Sequence, residues 1–114
     1  MKKILLFFVI ALLAVFAITA EESEVPFTVL INETSDNYSI AIEYTEMLSE
    51  ARFIYSCDSR IFDERDAIKI VRERLINFMK EKGYFHYSYL RPTITKTDYA
   101  NHKTYFYSFV LLKQ

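Results

Sequence analysis

Nucleophilic chemistry in this sequence would depend on one cysteine, Cys57, and two histidines, His86 and His102. A cysteine becomes a catalytic nucleophile when a neighbouring imidazole removes its proton, so the two side chains must lie within hydrogen-bond distance. His86 falls in a predicted strand and His102 in a polar loop, and no local spacing places either beside Cys57. We therefore predict no catalytic residue and interpret Cys57 as a small buried side chain. A small Cys/His-dependent enzyme is kept as an alternative.

A metal site needs three or four converging ligands. The candidate ligands are Cys57, Asp58, Asp63, His86 and His102. They match none of the common ligand spacings, and the two aspartates are better explained as turn and helix-capping residues. The chain has one glycine, which argues against the glycine-rich loops that bind phosphates or dinucleotides. We predict no metal and no cofactor.

The start of the chain has the pattern of a secretory signal peptide. Lys2 and Lys3 precede an uncharged apolar run over residues 4–18. The run ends at the small residue Ala20, and residues 21–24 are mostly acidic. A cationic start, an apolar middle and a small residue before the cleavage point are the three parts of an export signal.

This pattern divides the chain into a signal peptide at residues 1–20, a flexible tail at residues 21–26 and one small domain at residues 27–114. We therefore expect an exported protein, periplasmic or extracellular. The alternative is an uncleaved membrane anchor, because residues 4–20 approach the shortest apolar length that spans a bilayer. Contact with a membrane is expected only in that case.

The charge balance argues against a nucleic-acid partner. Residues 1–20 contain two of the 14 basic residues and none of the 15 acidic ones, so the rest of the chain has a net charge of −3. Proteins that bind nucleic acid need concentrated basic surface to neutralise phosphates. We therefore predict no nucleic-acid partner.

The first half of the domain is predicted to be three short strands. Residues 27–31 are apolar and β-branched, residues 38–45 alternate between apolar and polar, and residues 52–56 form a third run. Residues 32–37 are a polar cluster, which predicts a turn. The short connections indicate antiparallel pairing.

A helix is predicted over residues 64–82. Asp63 can cap its start, and Gly83, the only glycine, can end it in the left-handed conformation. An apolar stripe recurs at helical spacing. Its members are Ala67, Ile68, Val71, Leu75, Phe78 and Met79.

Two aromatic strands complete the domain, over residues 84–90 and 103–112. Pro92 marks an edge position or a bulge because it cannot donate a backbone hydrogen bond. The resulting order is β-β-β-α-β-β. We predict an α+β fold, a mostly antiparallel sheet with one amphipathic helix packed on one face.

Both aromatic strands carry large side chains on both faces, whereas one helix covers only one face of a sheet. Tyrosine side chains suit protein contact because they offer a large area at a low entropic cost. We therefore predict a non-enzymatic module that binds another protein or a cell-envelope component. The candidate partner-binding residues are Tyr87, Tyr89, Tyr105 and Tyr107. The alternative is a self-associating structural component, such as a homodimer, in which residues 105–112 pair edge to edge.

Overall fold

The computed structural model of this protein describes residues 27–114. Five strands and one long helix follow one another, with one turn of 3-10 helix between the second and third strands. Their bounds are β1 Thr28–Thr34, β2 Ser39–Thr45, the 3-10 turn Glu46–Leu48, β3 Glu50–Asp58, α1 Glu64–Lys82, β4 His86–Asp98 and β5 Lys103–Lys113. The predicted signal peptide and tail, residues 1–26, lie outside the described residues.

The five strands form one antiparallel sheet in the order β1-β2-β3-β5-β4. The last strand in the sequence, β5, therefore lies in the interior, where Tyr107 is opposite Ile54 on β3 and Ile94 on β4. Since β3 and β4 are both antiparallel to β5, they run in the same direction, and α1 is the crossover between them. The predicted α+β class and β-β-β-α-β-β order are confirmed.

Helix α1 begins and ends where the sequence predicts. The Asp63 side chain accepts a hydrogen bond from the backbone N–H of Arg65 (3.0 Å), which satisfies one of the unpaired N–H groups of the first turn. Gly83 adopts φ 80° and ψ 26° at the other end. The backbone N–H of Tyr84 then bonds to the carbonyl of Met79 (2.8 Å), as expected for a glycine-terminated helix.

The hydrophobic core is a single layer between α1 and one face of the sheet. The ring of Phe78 on α1 packs edge to face against Phe53 on β3 (5.8 Å) and Tyr44 on β2 (5.1 Å). Phe53 and Phe78 are fully buried. Five buried residues come from the helix: Ala67, Val71, Leu75, Phe78 and Met79. These are five of the six stripe members predicted from sequence, and the sixth, Ile68, is partly buried against the same core.

The first strand is longer than predicted. Residues 32–34 belong to β1 rather than to the predicted turn. The cause is a tertiary contact, because Glu33 faces the helix and accepts two hydrogen bonds from Arg74 (2.7 and 2.9 Å). A polar residue that looks solvated in the sequence is thus held against α1 by a paired guanidinium.

The sheet is open, and its two edges differ. On β4, the register with β5 shifts between Tyr89 and Arg91 and again between Arg91 and Ile94, so Pro92 lies at an irregularity of an edge strand. This confirms the edge or bulge position predicted for Pro92. The other edge, β1, pairs with β2 in one unbroken register.

Candidate functional site

The sheet face turned away from α1, called the helix-free face from here on, carries a row of rings on β5. Tyr105, Tyr107 and Phe109 follow one another at every second position, and their centroids are 6.4 Å apart at each step. The rings of Tyr107 and Phe109 are nearly parallel, with 9° between their planes. The strand pleat places these rings on one face and the buried Phe106, Val110 and Leu112 on the other.

Two cations of the edge strand lie over this row. The guanidinium carbon of Arg91 is 4.7 Å from the Phe109 centroid, and the Lys96 Nζ is 5.8 Å from the Tyr107 centroid. Within residues 27–114, neither cation has a carboxylate within salt-bridge distance. The rings hold the two cations by cation–π attraction, and their charges stay available to an anionic group from outside.

The remainder of the helix-free face is more polar. Arg52 on β3 forms an ion pair with Glu43 on β2. Beside this pair is a shallow depression of about 210 Å³, whose lining includes Thr28, Arg91 and Phe109. The helix-free face is therefore aromatic at β5, whereas at β2 and β3 it carries two charged side chains that pair with each other.

The four tyrosines selected from the sequence do not form one surface. Tyr105 and Tyr107 lie on the helix-free face. Tyr87 and Tyr89 lie on the opposite face, since they pair with the buried residues Leu112 and Val110. Tyr87 packs against the core, and its ring meets the ring of Tyr89 edge to face, with 5.6 Å between the centroids.

The sequence shows the alternation within each strand but not the register between strands, and the register decides which alternating sets share a face. Phe109, Arg91 and Lys96 were absent from the predicted site although they stand beside Tyr107. For Phe109 the signal was present, because it continues the period-two series of Tyr105 and Tyr107. Arg91 joins the site only through the bulged register of β4, because regular pairing would place it opposite the buried Ser108.

The candidate catalytic pair is not assembled. On β5, Thr104 lies opposite Cys57 and Lys113 lies opposite His86. Because Thr104 and Lys113 are nine residues apart, Cys57 and His86 are separated by about 30 Å along the strand direction. Cys57 is 5% exposed. Burial raises the pKa of its thiol, which keeps it protonated at neutral pH and makes it a poor nucleophile.

The two aspartates among the candidate metal ligands have structural partners instead. Asp58 accepts hydrogen bonds from the backbone and guanidinium of Arg60 (2.7–3.1 Å), and these bonds hold the pKa of its carboxyl well below the usual range. Asp63 caps α1. The turn and capping roles predicted for the two aspartates are confirmed. In the part of the chain that the structure describes, no three His, Cys, Asp or Glu side chains converge on one point.

Between Phe27 and the C-terminus, no helix is long and apolar enough to cross a membrane.

Comparison with known proteins finds no match: no family model fits the chain, and no curated protein or solved structure resembles it at a significant level. The functional argument therefore depends on the residues and geometry described above.

Proposed function

We propose that this chain is an exported, non-enzymatic domain that binds another protein or a cell-envelope component through its helix-free face. The observation that carries the proposal is the row Tyr105, Tyr107 and Phe109 with Arg91 and Lys96 above it. Tyrosine and arginine are the side chains most enriched where proteins bind one another. Export is supported by the leader pattern of residues 1–20.

The charges indicate the chemistry of the partner. Arg91 and Lys96 have no carboxylate partner within residues 27–114, while Arg52 is already paired with Glu43. A partner that brings carboxylates to the β4 side and apolar groups to the rings would satisfy both halves of this surface. An extended acidic segment lying along β5 meets this description.

Self-association is the second candidate, and the structure changes how it would occur. Residues 105–112 cannot pair edge to edge because β5 is hydrogen-bonded on both sides; that part of the sequence-based hypothesis is wrong. The free edge that suits strand addition is β1, whose seven residues contain no proline, lysine or bulge. Such an edge is the kind that pairs with another strand.

Site-specific photocrosslinking in the protein's own host tests the proposal. A photoreactive amino acid replaces Tyr107, and the matched control replaces Tyr99, which is 84% exposed in the β4–β5 loop. We expect one discrete crosslinked species from position 107 and none from position 99. The double variant Arg91→Glu, Lys96→Glu should abolish the crosslink from position 107.

The mass of the crosslinked species separates the two candidates, since a species of twice the chain mass assigns the contact to a second copy. Equal crosslinking from positions 99 and 107 would contradict a specific surface. So would a crosslink that survives the charge reversal with unchanged yield.

A further inference from the structure

One end of the sheet differs from the rest of the surface. One level of the sheet runs across neighbouring strands through Thr28 of β1, Thr45 of β2, Glu50 of β3 and Leu111 of β5, each residue lying opposite the next. Ser88 of β4 is also opposite Leu111. The start of β1 at Phe27, the β2–β3 connection and the start of β4 therefore meet at the same end, called the entry end from here on.

Four exposed apolar side chains of the described domain lie at the entry end. They are Phe27 (77% exposed), Met47 (64%), Leu48 (47%) and Phe85 (74%). Phe27 precedes one edge strand, Phe85 precedes the other, and the two aliphatic side chains lie in the connection between β2 and β3. The row thus crosses the full width of the sheet, about 19 Å for four strand spacings.

This spacing indicates the shape of the surface that the row contacts. A protein partner usually concentrates its binding energy in a central cluster of buried side chains. A row that extends from one edge of the sheet to the other contacts a broad planar surface along its whole length, which a compact binding cluster does not need. Exposed phenylalanine, leucine and methionine side chains are also the groups that enter the boundary between lipid headgroups and acyl chains.

The charges at the entry end balance one another. Three lysines and three glutamates stand there: Lys80, Lys82, Lys113, Glu46, Glu50 and Glu81. Residues 21–24 add further acidic groups on the chain that leads to Phe27. Attraction to an anionic surface is therefore not the driving force, and the contact must depend on apolar side chains.

Residues 1–26 precede Phe27 in the sequence and are therefore joined to the domain at this same end. Residues 4–20 contain no charged residue, and residues 21–26, which join them to Phe27, span at most about 22 Å when fully extended. In the form of the chain that retains residues 1–20, an apolar run placed in a bilayer therefore keeps the entry end close to the bilayer surface.

We propose that, in the form of the chain that retains residues 1–20, the entry end is a lipid-contacting surface, at which Phe27, Met47, Leu48 and Phe85 insert into the interface of an electrically neutral bilayer. The strands then stand away from the membrane, and the helix-free face is reached from the side. This proposal concerns a different surface from the proposed function, so either can fail without the other.

Tryptophan fluorescence tests this, because the chain contains no tryptophan and each introduced one reports alone. The full chain is reconstituted in phosphatidylcholine vesicles, with and without bromine atoms on the acyl chains, which quench tryptophan on contact. The reporters are Met47→Trp and Phe85→Trp, and the control is Tyr99→Trp at the opposite end of the sheet.

We expect at least twofold quenching for Met47→Trp and Phe85→Trp and none for Tyr99→Trp, unchanged between low and high salt. Equal quenching at all three positions, or none at positions 47 and 85, would overturn the proposal. Quenching that disappears at high salt would overturn its apolar basis. Leu48→Trp replaces Met47→Trp if the circular dichroism of the latter departs from that of the parent chain.

Discussion

The guanidinium carbon of Arg91 lies 4.7 Å from the centre of the Phe109 ring, directly across the strand pair that they share. Arg91 stands between the two register shifts of β4. At this irregularity, the regular hydrogen-bonded pairing of β4 with β5 is interrupted, and the guanidinium of Arg91 lies over the aromatic row. This contact is where the edge irregularity and the candidate binding surface meet.

Removing this contact should have a small, measurable effect on stability. We expect Arg91→Ala to lower the free energy of unfolding by about 0.5–1 kcal/mol, the usual range for an exposed cation–π pair. A double-mutant cycle with Phe109→Leu, followed by urea denaturation, isolates the coupling between the two side chains. Lys69→Ala on the exposed surface of α1 is the control and should change stability little. A coupling energy of zero would mean that the two groups do not attract each other in solution.

The stability of the domain should fall steeply at alkaline pH, in part because of Tyr55. Burial raises the pKa of Tyr55 from its ordinary value of 10.0 to about 12, since the buried site disfavours the phenolate. The folded state therefore holds this proton at pH values where the unfolded state has lost it. The stabilisation is complete below pH 10 and is lost as the pH rises through 12, up to about 3 kcal/mol in all.

Urea denaturation at pH 9, 10 and 11 checks this titration. Tyr55→Phe should flatten the decline above pH 10, whereas Tyr99→Phe, which changes an exposed phenol, should leave it as steep as in the parent chain. An identical pH dependence in the parent and Tyr55→Phe proteins would assign the decline to other groups.

The thiol of Cys57 should be slow to react in the folded protein. It is 5% exposed and burial raises its pKa, so both access and thiolate content are low. We expect iodoacetamide to label it slowly in buffer and rapidly in urea, with mass spectrometry as the readout. A chain with Cys57→Ala and Tyr99→Cys provides an exposed thiol and should react quickly in buffer. Equally fast labelling of native Cys57 would restore the thiol-enzyme alternative.

Gly83 should resist substitution for reasons of backbone alone. Its φ of 80° lies in the left-handed region, and a Cβ built there meets no atom within 4 Å. We therefore expect Gly83→Ala to cost about 1 kcal/mol of stability through backbone strain, without steric clash. Thermal unfolding measures the change, and Lys69→Ala serves again as the near-neutral control. A neutral Gly83→Ala would mean that the helix ends differently in solution.

Local patterns in this sequence were sufficient to predict the type and order of the elements, although β1 and β4 extend further along the chain than predicted. The caps Asp63 and Gly83, with the apolar stripe between them, define α1 because each signal acts within a few residues of chain. The alternation of Tyr105, Tyr107 and Phe109 likewise predicts one face of one strand.

What the sequence did not contain was the relation between distant elements. The extension of β1 depends on Arg74 reaching Glu33 from the helix, and the separation of Tyr87 from Tyr107 depends on the pairing of β4 with β5. Such contacts join residues far apart in the chain. Local periodicity therefore predicts the strands but not which of their faces coincide.

The position of β5 between β3 and β4 has a consequence for the order of events during synthesis. The last eleven residues of the strand series hold the sheet together, and the buried Phe106, Val110 and Leu112 belong to them. Until they have left the ribosome, β3 and β4 have no shared partner and the layer under α1 is incomplete. A chain of this topology can therefore close its sheet only after its last strand has been synthesised.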